Sequence, residues 1–121
     1  MQTKHILDIK LTARRYGKWA REGVGINYPA IQPFLRKATP DHGILMLDDE
    51  TAMRIHDATL IMRNVTPELY QVFMLRYVSN LSQGNVGREM GVSVPTIKSY
   101  LYAAHQSLKL LLTQNKCIFL A

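Results

Sequence analysis

Thr96, Lys98, Ser99 and Tyr102 bring three hydroxyls and one ammonium into a short stretch of chain. None has a general base or a metal ligand beside it, so their chemistry is hydrogen bonding and charge. Groups of this kind recognise base edges and phosphates. They are interleaved with Ile97, Leu101, Ala104 and Leu108, whose spacings of 4, 3 and 4 make one apolar stripe of a helix. The polar side chains lie off that stripe and near the start of the helix. A helix presenting small polar and basic residues there can enter a major groove about 12 Å wide.

Residues 78–102 contain what is needed to position such a helix. Ser82 is a candidate N-cap for a short helix over 83–90. Gly91 stands where that helix must stop and reverse. Val92 fills the corner, Ser93 is a second candidate N-cap, and Pro95 falls in the first turn, where its missing N–H is harmless. Leu81, Val86 and Met90 give the first helix an inward face. The pattern predicts a helix-turn-helix. Two short helices joined by a glycine turn also occur in bundles that bind nothing, so the rest of the chain has to supply the context.

The chain has 121 residues, enough for one domain or one domain with an arm, and is 47% apolar, enough for a core. Its net charge of +6 suits a polyanionic partner. The charge is unevenly spread. Residues 1–37 hold eight basic and two acidic side chains, residues 38–70 two and six, and residues 71–121 five and one. An acidic middle between basic ends implies more than one kind of surface. Cys117 is the only cysteine, which excludes an intrachain disulfide and fits a reducing cytosol. No apolar run approaches the roughly 20 residues that span a bilayer, so no membrane partner is expected.

Residues 4–22 read as a helix, with Ile6, Ile9, Ala13, Tyr16 and Ala20 on one face and Lys10, Arg14, Arg15, Lys18 and Arg21 on the others. Gly23 can end it. Gly23, Gly25, Pro29, Pro33, Pro40 and Gly43 then make helix improbable over 23–46. Ile26, Tyr28, Ile31, Phe34 and Leu35 are too apolar for a disordered linker, so this segment should be irregular but packed. Asp48 caps a helix running to about Met62, with Ala52, Ile55, Thr59 and Met62 inward and Asp49 and Glu50 at the positive end of its dipole. Thr66 and Pro67 start another, with Leu69, Val72, Phe73 and Leu75 buried. After Leu112 the tail loses its pattern and either folds back or frays. The expectation is an all-α protein in three parts: a basic helix with an irregular arm (1–47), a helical DNA-binding module (48–112) and a tail (113–121).

No catalytic constellation is visible. His5, His42, His56 and His105 are far apart, and His56 and Asp57 point different ways on a helix. Asp48, Asp49 and Glu50 are explained by a helix N-terminus. Gly23-x-Gly25 follows a helix instead of a strand, unlike a dinucleotide loop. Cys117 has no basic neighbour in sequence beyond the flanking tail lysine and no site around it. No enzyme activity, metal or cofactor is expected.

The stretches TPELYQVFMLRYVSNLS and GVSVPTIKSYL resemble region 4 of bacterial sigma factors over residues 66–112. Upstream, RYGKWAREG and NYPAIQPF over 15–34, then LDDE at 47–50, resemble the Q-type late antitermination proteins of lambdoid phages, the phage 21 group. That resemblance covers almost the whole chain from about Leu11. It implies a sigma region 4-like helix-turn-helix bundle that binds DNA at a phage late promoter. It further implies loading onto sigma-paused RNA polymerase and read-through of terminators. Carried over residue by residue, Ser93, Val94, Thr96, Lys98 and Ser99 become candidates for DNA contact, and Arg88 and Tyr102 are added to the candidate set. The charge map and the aromatics beside a basic helix make Arg14, Arg15, Lys18, Trp19, Arg21, Tyr28, Phe34, Arg36 and Lys37 a candidate arm toward polymerase or nucleic acid.

The implied partners are promoter DNA and polymerase holoenzyme, with nascent RNA and a second copy on DNA as further candidates, in the nucleoid of a bacterial host cytoplasm. DNA binding should reside in 66–112, and action on polymerase should also need 1–47. Asn85-Val86-Gly87 departs from the acidic-apolar-alanine triplet common in sigma-like motifs, and an interior glycine costs about 1 kcal/mol relative to alanine. The first helix is therefore expected to be less rigid. The competing reading is a sigma-like or repressor-type regulator. A full sigma factor needs a promoter-opening module for which 1–47 is too short, and a simple repressor has no use for 23–46.

Overall fold

The computed structural model describes residues 8–120, with side chains through Thr113. The described residues form five α-helices and two short 3₁₀ turns, without strands. Helix α1 (Ile9–Glu22) starts at Asp8, whose side chain accepts the Leu11 N–H at 3.2 Å. Residues 4–7, including the Ile6 expected on its apolar face, lie outside the described residues. The 3₁₀ turns Val24–Asn27 and Gln32–Phe34 interrupt an otherwise irregular segment, as its glycines and prolines require.

Helix α2 (Asp49–Val65) is capped by Asp48, which accepts both the backbone N–H and the hydroxyl of Thr51 at 3.0 Å. It runs three residues beyond the expected end. Helix α3 (Pro67–Tyr77) follows directly. Thr66 precedes it but makes no side-chain cap. Its hydroxyl donates back to the Met62 carbonyl at 3.4 Å, so it closes α2 instead of opening α3. Helix α4 (Gln83–Met90) and helix α5 (Val94–Leu120) complete the chain. The last helix does not stop at Leu112. Residues 113–120 contain no glycine or proline to break it, and the backbone continues helically as far as Leu120.

One core runs through these elements. It joins Ile9, Tyr16, Trp19, Ile31 and Phe34 to Ile55, Phe73, Val86, Ile97 and Leu108. Helix α5 packs on α2, α3 and α4, and α1 packs on α2, α3 and α5. The core therefore crosses residue 47, where the sequence placed the edge of an arm. Trp19 is the clearest case. It is 0% exposed, stacks on Tyr16 at 5.7 Å, lies 5.8 Å from Tyr28, and donates its indole N–H to Asp49 at 2.9 Å. A ring so enclosed offers nothing to a partner, which corrects its assignment to a contact surface. Phe34, 8% exposed and edge-on to Tyr70, is also core.

Two histidines are sealed into this core. His105 accepts or donates a 2.7 Å hydrogen bond with the Tyr77 hydroxyl, and burial pushes its pKa down to about 4. His56 meets the Tyr16 hydroxyl at 3.3 Å, stacks on Tyr28 at 5.1 Å and is shifted down by the same cause. Both are neutral when folded, whereas an unfolded histidine titrates near 6.5. The unfolded chain then binds more protons between the two values, so stability is full above about pH 6.5 and falls as pH drops toward 4. Asp41 and Asp48, held below the usual carboxylate range by Arg14 and by the Thr51 N–H respectively, extend the loss at still lower pH. Urea denaturation at pH 7 and pH 4.5 should differ by on the order of 1–3 kcal/mol. Equal midpoints would place these imidazoles in contact with water.

Candidate nucleic-acid interface

The helix-turn-helix is assembled by local rules. Ser82 accepts the Asn85 N–H at 3.2 Å and opens α4. Gly91 closes it with φ of 70°, a conformation that only glycine adopts without a Cβ penalty. The chain reverses, and Ser93 accepts the Thr96 N–H at 3.3 Å to open α5. The Ser93 and Thr96 hydroxyls are 3.0 Å apart, so each is already partnered within the cap. The Val92 N–H donates to the Gly87 carbonyl at 3.0 Å, which draws the turn onto the middle of α4.

That approach explains Gly87. A Cβ there would lie 2.7 Å from the Val92 carbonyl oxygen. The glycine expected to loosen the helix is what allows the two helices to meet, and the close contact replaces the rigidity that propensity takes away.

The buried and exposed faces of α5 separate cleanly. Ile97, Leu101, Ala104 and Leu108 are inside. Val94, Lys98 and Tyr102, spaced by four, form one exposed row, with Ser99 beside it and Thr96 half-buried. Tyr102 is 68% exposed. Arg88 sits exposed on α4 and donates to Asn85 at 2.7 Å.

Residues 58–108 match the family model described as Sigma-70, region 4. They form a sigma-70 region 4 helix-turn-helix. An uncharacterized protein of Haemophilus influenzae (strain Rd) is 34% identical over 67 residues, which are 55% of this chain and 73% of that one. The chain belongs to the same family as this Haemophilus protein. No solved structure matches it. The sigma-70 region 4 module is of the DNA-binding, transcription-regulating kind, and no helix of the described residues is long and apolar enough to cross a membrane.

Four of the five basic residues of α1 do other work. Arg14 grips Asp41 through two nitrogens at 2.9–3.1 Å, and Arg15 donates to the Leu45 and Met46 carbonyls at 3.0 and 3.5 Å. Lys18 donates to the Asp41 carbonyl at 3.0 Å and pairs with Glu22 at 3.6 Å. Arg21 donates to the Tyr77 and Val78 carbonyls at 2.8 and 3.1 Å, satisfying the C-terminus of α3. These four cations hold the irregular segment and the region 4 module to α1, so they are not a free arm. Tyr28 is half-buried on His56, while Arg36 and Lys37 remain exposed.

Sequence reasoning missed the clamp on the loop that leads into α4. Asn80, with φ of 59°, donates to the Thr39 and Pro40 carbonyls at 3.2 Å, and the Thr39 hydroxyl donates to the Asn80 carbonyl at 3.0 Å. The Ser79 hydroxyl donates to the Phe34 carbonyl at 2.6 Å. The Ser79-Asn80 pair was the available signal, since asparagine tolerates the left-handed region.

Proposed function

We propose that this protein is a phage or prophage transcription antitermination factor acting in the cytoplasm and nucleoid of a bacterial host. It binds double-stranded DNA at a late promoter through α4 and α5, engages sigma-paused RNA polymerase holoenzyme, and makes the enzyme read through terminators to express late genes. It acts by binding and not as an enzyme. The observation that carries the reading is that the upstream residues resembling the Q-type proteins are built into the region 4 core. Trp19 bonds to Asp49, Arg21 caps α3 and Phe34 packs on Tyr70. A region 4 helix-turn-helix serving only as a repressor has no need of a second element fixed to it. Nascent RNA and a second copy on DNA are further partners of the same reading.

Transcription of a template with a late promoter and a downstream terminator tests it. Read-through that depends on the protein supports antitermination, while blocked initiation supports the repressor-type alternative. Within the DNA contact, Lys98→Ala should weaken binding and lower the slope of log K against log salt by about one unit if the ammonium meets a phosphate. Loss of base discrimination at unchanged slope would put Lys98 on a base edge. An unchanged affinity and slope would remove it from the interface.

A further inference from the structure

Arg36 and Lys37 are two exposed cations that, among the described residues, do not bond to α1. Their place in the fold is set from both sides. Phe34 is buried, and its carbonyl accepts the Ser79 hydroxyl, so the chain just before them is fixed. Thr39, just after them, bonds in both directions with the 79–80 loop. Lys37 then reaches Glu89 on α4 at 3.3 Å. The basic pair is thereby held against the first helix of the helix-turn-helix, beside the turn that presents α5.

We infer that the Arg36–Lys37 turn is a second DNA-contacting element, which grips the phosphate backbone of the same duplex that α5 reads. The inference rests on the DNA-binding reading of the region 4 module but not on antitermination. The shape of the place decides the class of partner. Between the turn and α4 lies an open cavity of about 170 Å³ lined by Arg36 and Lys37 together with Phe34, Leu75, Ser79 and Glu89. Two cations against one carboxylate leave the place net positive, which suits a polyanion. Both cations are exposed, and an extended polyanion passing over α4 would meet them. Glu89 is the only acid after residue 70, and it lies beside the one lysine of the turn. The pair is exposed, with the Lys37 side chain 69% and the Glu89 side chain 42% accessible, so it is weak and can be exchanged for a phosphate. In the absence of DNA, Glu89 orients Lys37 and lowers the local positive charge.

Phosphate contacts act without regard to sequence and release counterions. The double variant R36A/K37A should therefore lose affinity for a late-promoter duplex and a scrambled duplex by the same factor. Its salt slope should fall by about 1.8 units, or 0.9 per phosphate contact. Glu89→Gln should bind both duplexes more tightly. All three side chains are exposed, so circular dichroism and urea midpoints should match the parent. Unchanged slope and affinity for R36A/K37A, alongside a weakened Lys98→Ala, would overturn this inference while leaving the DNA-binding module intact. A loss on single-stranded RNA without a loss on duplex would assign the turn to RNA and equally overturn it. Absence of any salt-dependent DNA binding by the parent protein would sink both this inference and the proposed function.

Discussion

Gly17→Ala is expected to pry α1 away from the helical body. Alanine normally stabilises a helix interior, by about 1 kcal/mol relative to glycine. Here the position is buried where α1 crosses the end of α3. A Cβ at Gly17 would lie 1.9 Å from the Tyr77 carbonyl oxygen and 2.8 Å from its carbon. Those atoms are backbone and cannot rotate aside. The same carbonyl accepts Arg21 at 2.8 Å, so any retreat of α1 also breaks that bond. Overpacking in a well-filled core costs about 1–3 kcal/mol, and a contact this short against backbone belongs at or above the top of that range. The steric loss exceeds the propensity gain, and the net change should be destabilising by about 2 kcal/mol or more. Trp19 is the only tryptophan and is fully buried two residues away, so its emission should shift to the red as α1 lifts. Gly84→Ala is the matched control. Its added Cβ meets nothing nearer than the Ser82 hydroxyl at 3.9 Å, so that variant should gain the propensity term. A Gly17→Ala protein as stable as Gly84→Ala would show that the two helices have room to separate.

The parts of this fold that the sequence discloses are those set by neighbours in the chain. The caps at Asp48, Ser82 and Ser93, the reversal at Gly91 and the Ile97–Leu108 stripe each depend on residues three or four apart. What escaped is long-range. Arg14, Arg15, Lys18 and Arg21 look like a solvated basic face, because nothing within α1 says that Asp41 and the carbonyls of residues 45, 46, 77 and 78 will come to them. Trp19 beside those cations looks like an interface anchor until Asp49 is found to accept its N–H. Gly87 looks like a weakness until the Val92 carbonyl is placed against it. The exposed row Val94, Lys98 and Tyr102 was legible because exposure on a helix follows from period alone. The link from Lys37 to Glu89 spans 52 positions and was not.

A fragment beginning at Gly43 is expected to lose its cooperative fold, although it retains the whole region 4 match. It would lack seven residues of the buried apolar core: Ile9, Ala13, Tyr16, Trp19, Ala20, Ile31 and Phe34. Their removal uncovers Phe73 beneath Tyr16, Tyr70 beneath Phe34 and His56 beneath Tyr28. It also strips Arg21 from the end of α3 and Thr39 from the loop before α4. Loss of one large core aromatic costs about 3–5 kcal/mol, and a small domain has about 5–15 kcal/mol in all. Losing Trp19, Tyr16 and Phe34 together therefore exhausts the stability that 79 residues can hold. Circular dichroism should show residual helix without a sharp thermal transition, and a dye that reports exposed apolar surface should bind the fragment but not the full chain. Specific DNA binding should disappear with the fold, because the 79–80 loop that leads into α4 is anchored to residues 34–40. A cooperative transition near that of the full chain would mean that α2–α5 close over their own core. Duplex binding by such a fragment would restore the N-terminal third to the status of a detachable arm. On the packing observed, cutting the chain is expected to disrupt the DNA-binding module together with the N-terminal third. Exposed point substitutions, at Lys98 and Tyr102 on α5 or at Arg36 and Lys37 on the turn, change a surface and leave the shared core in place.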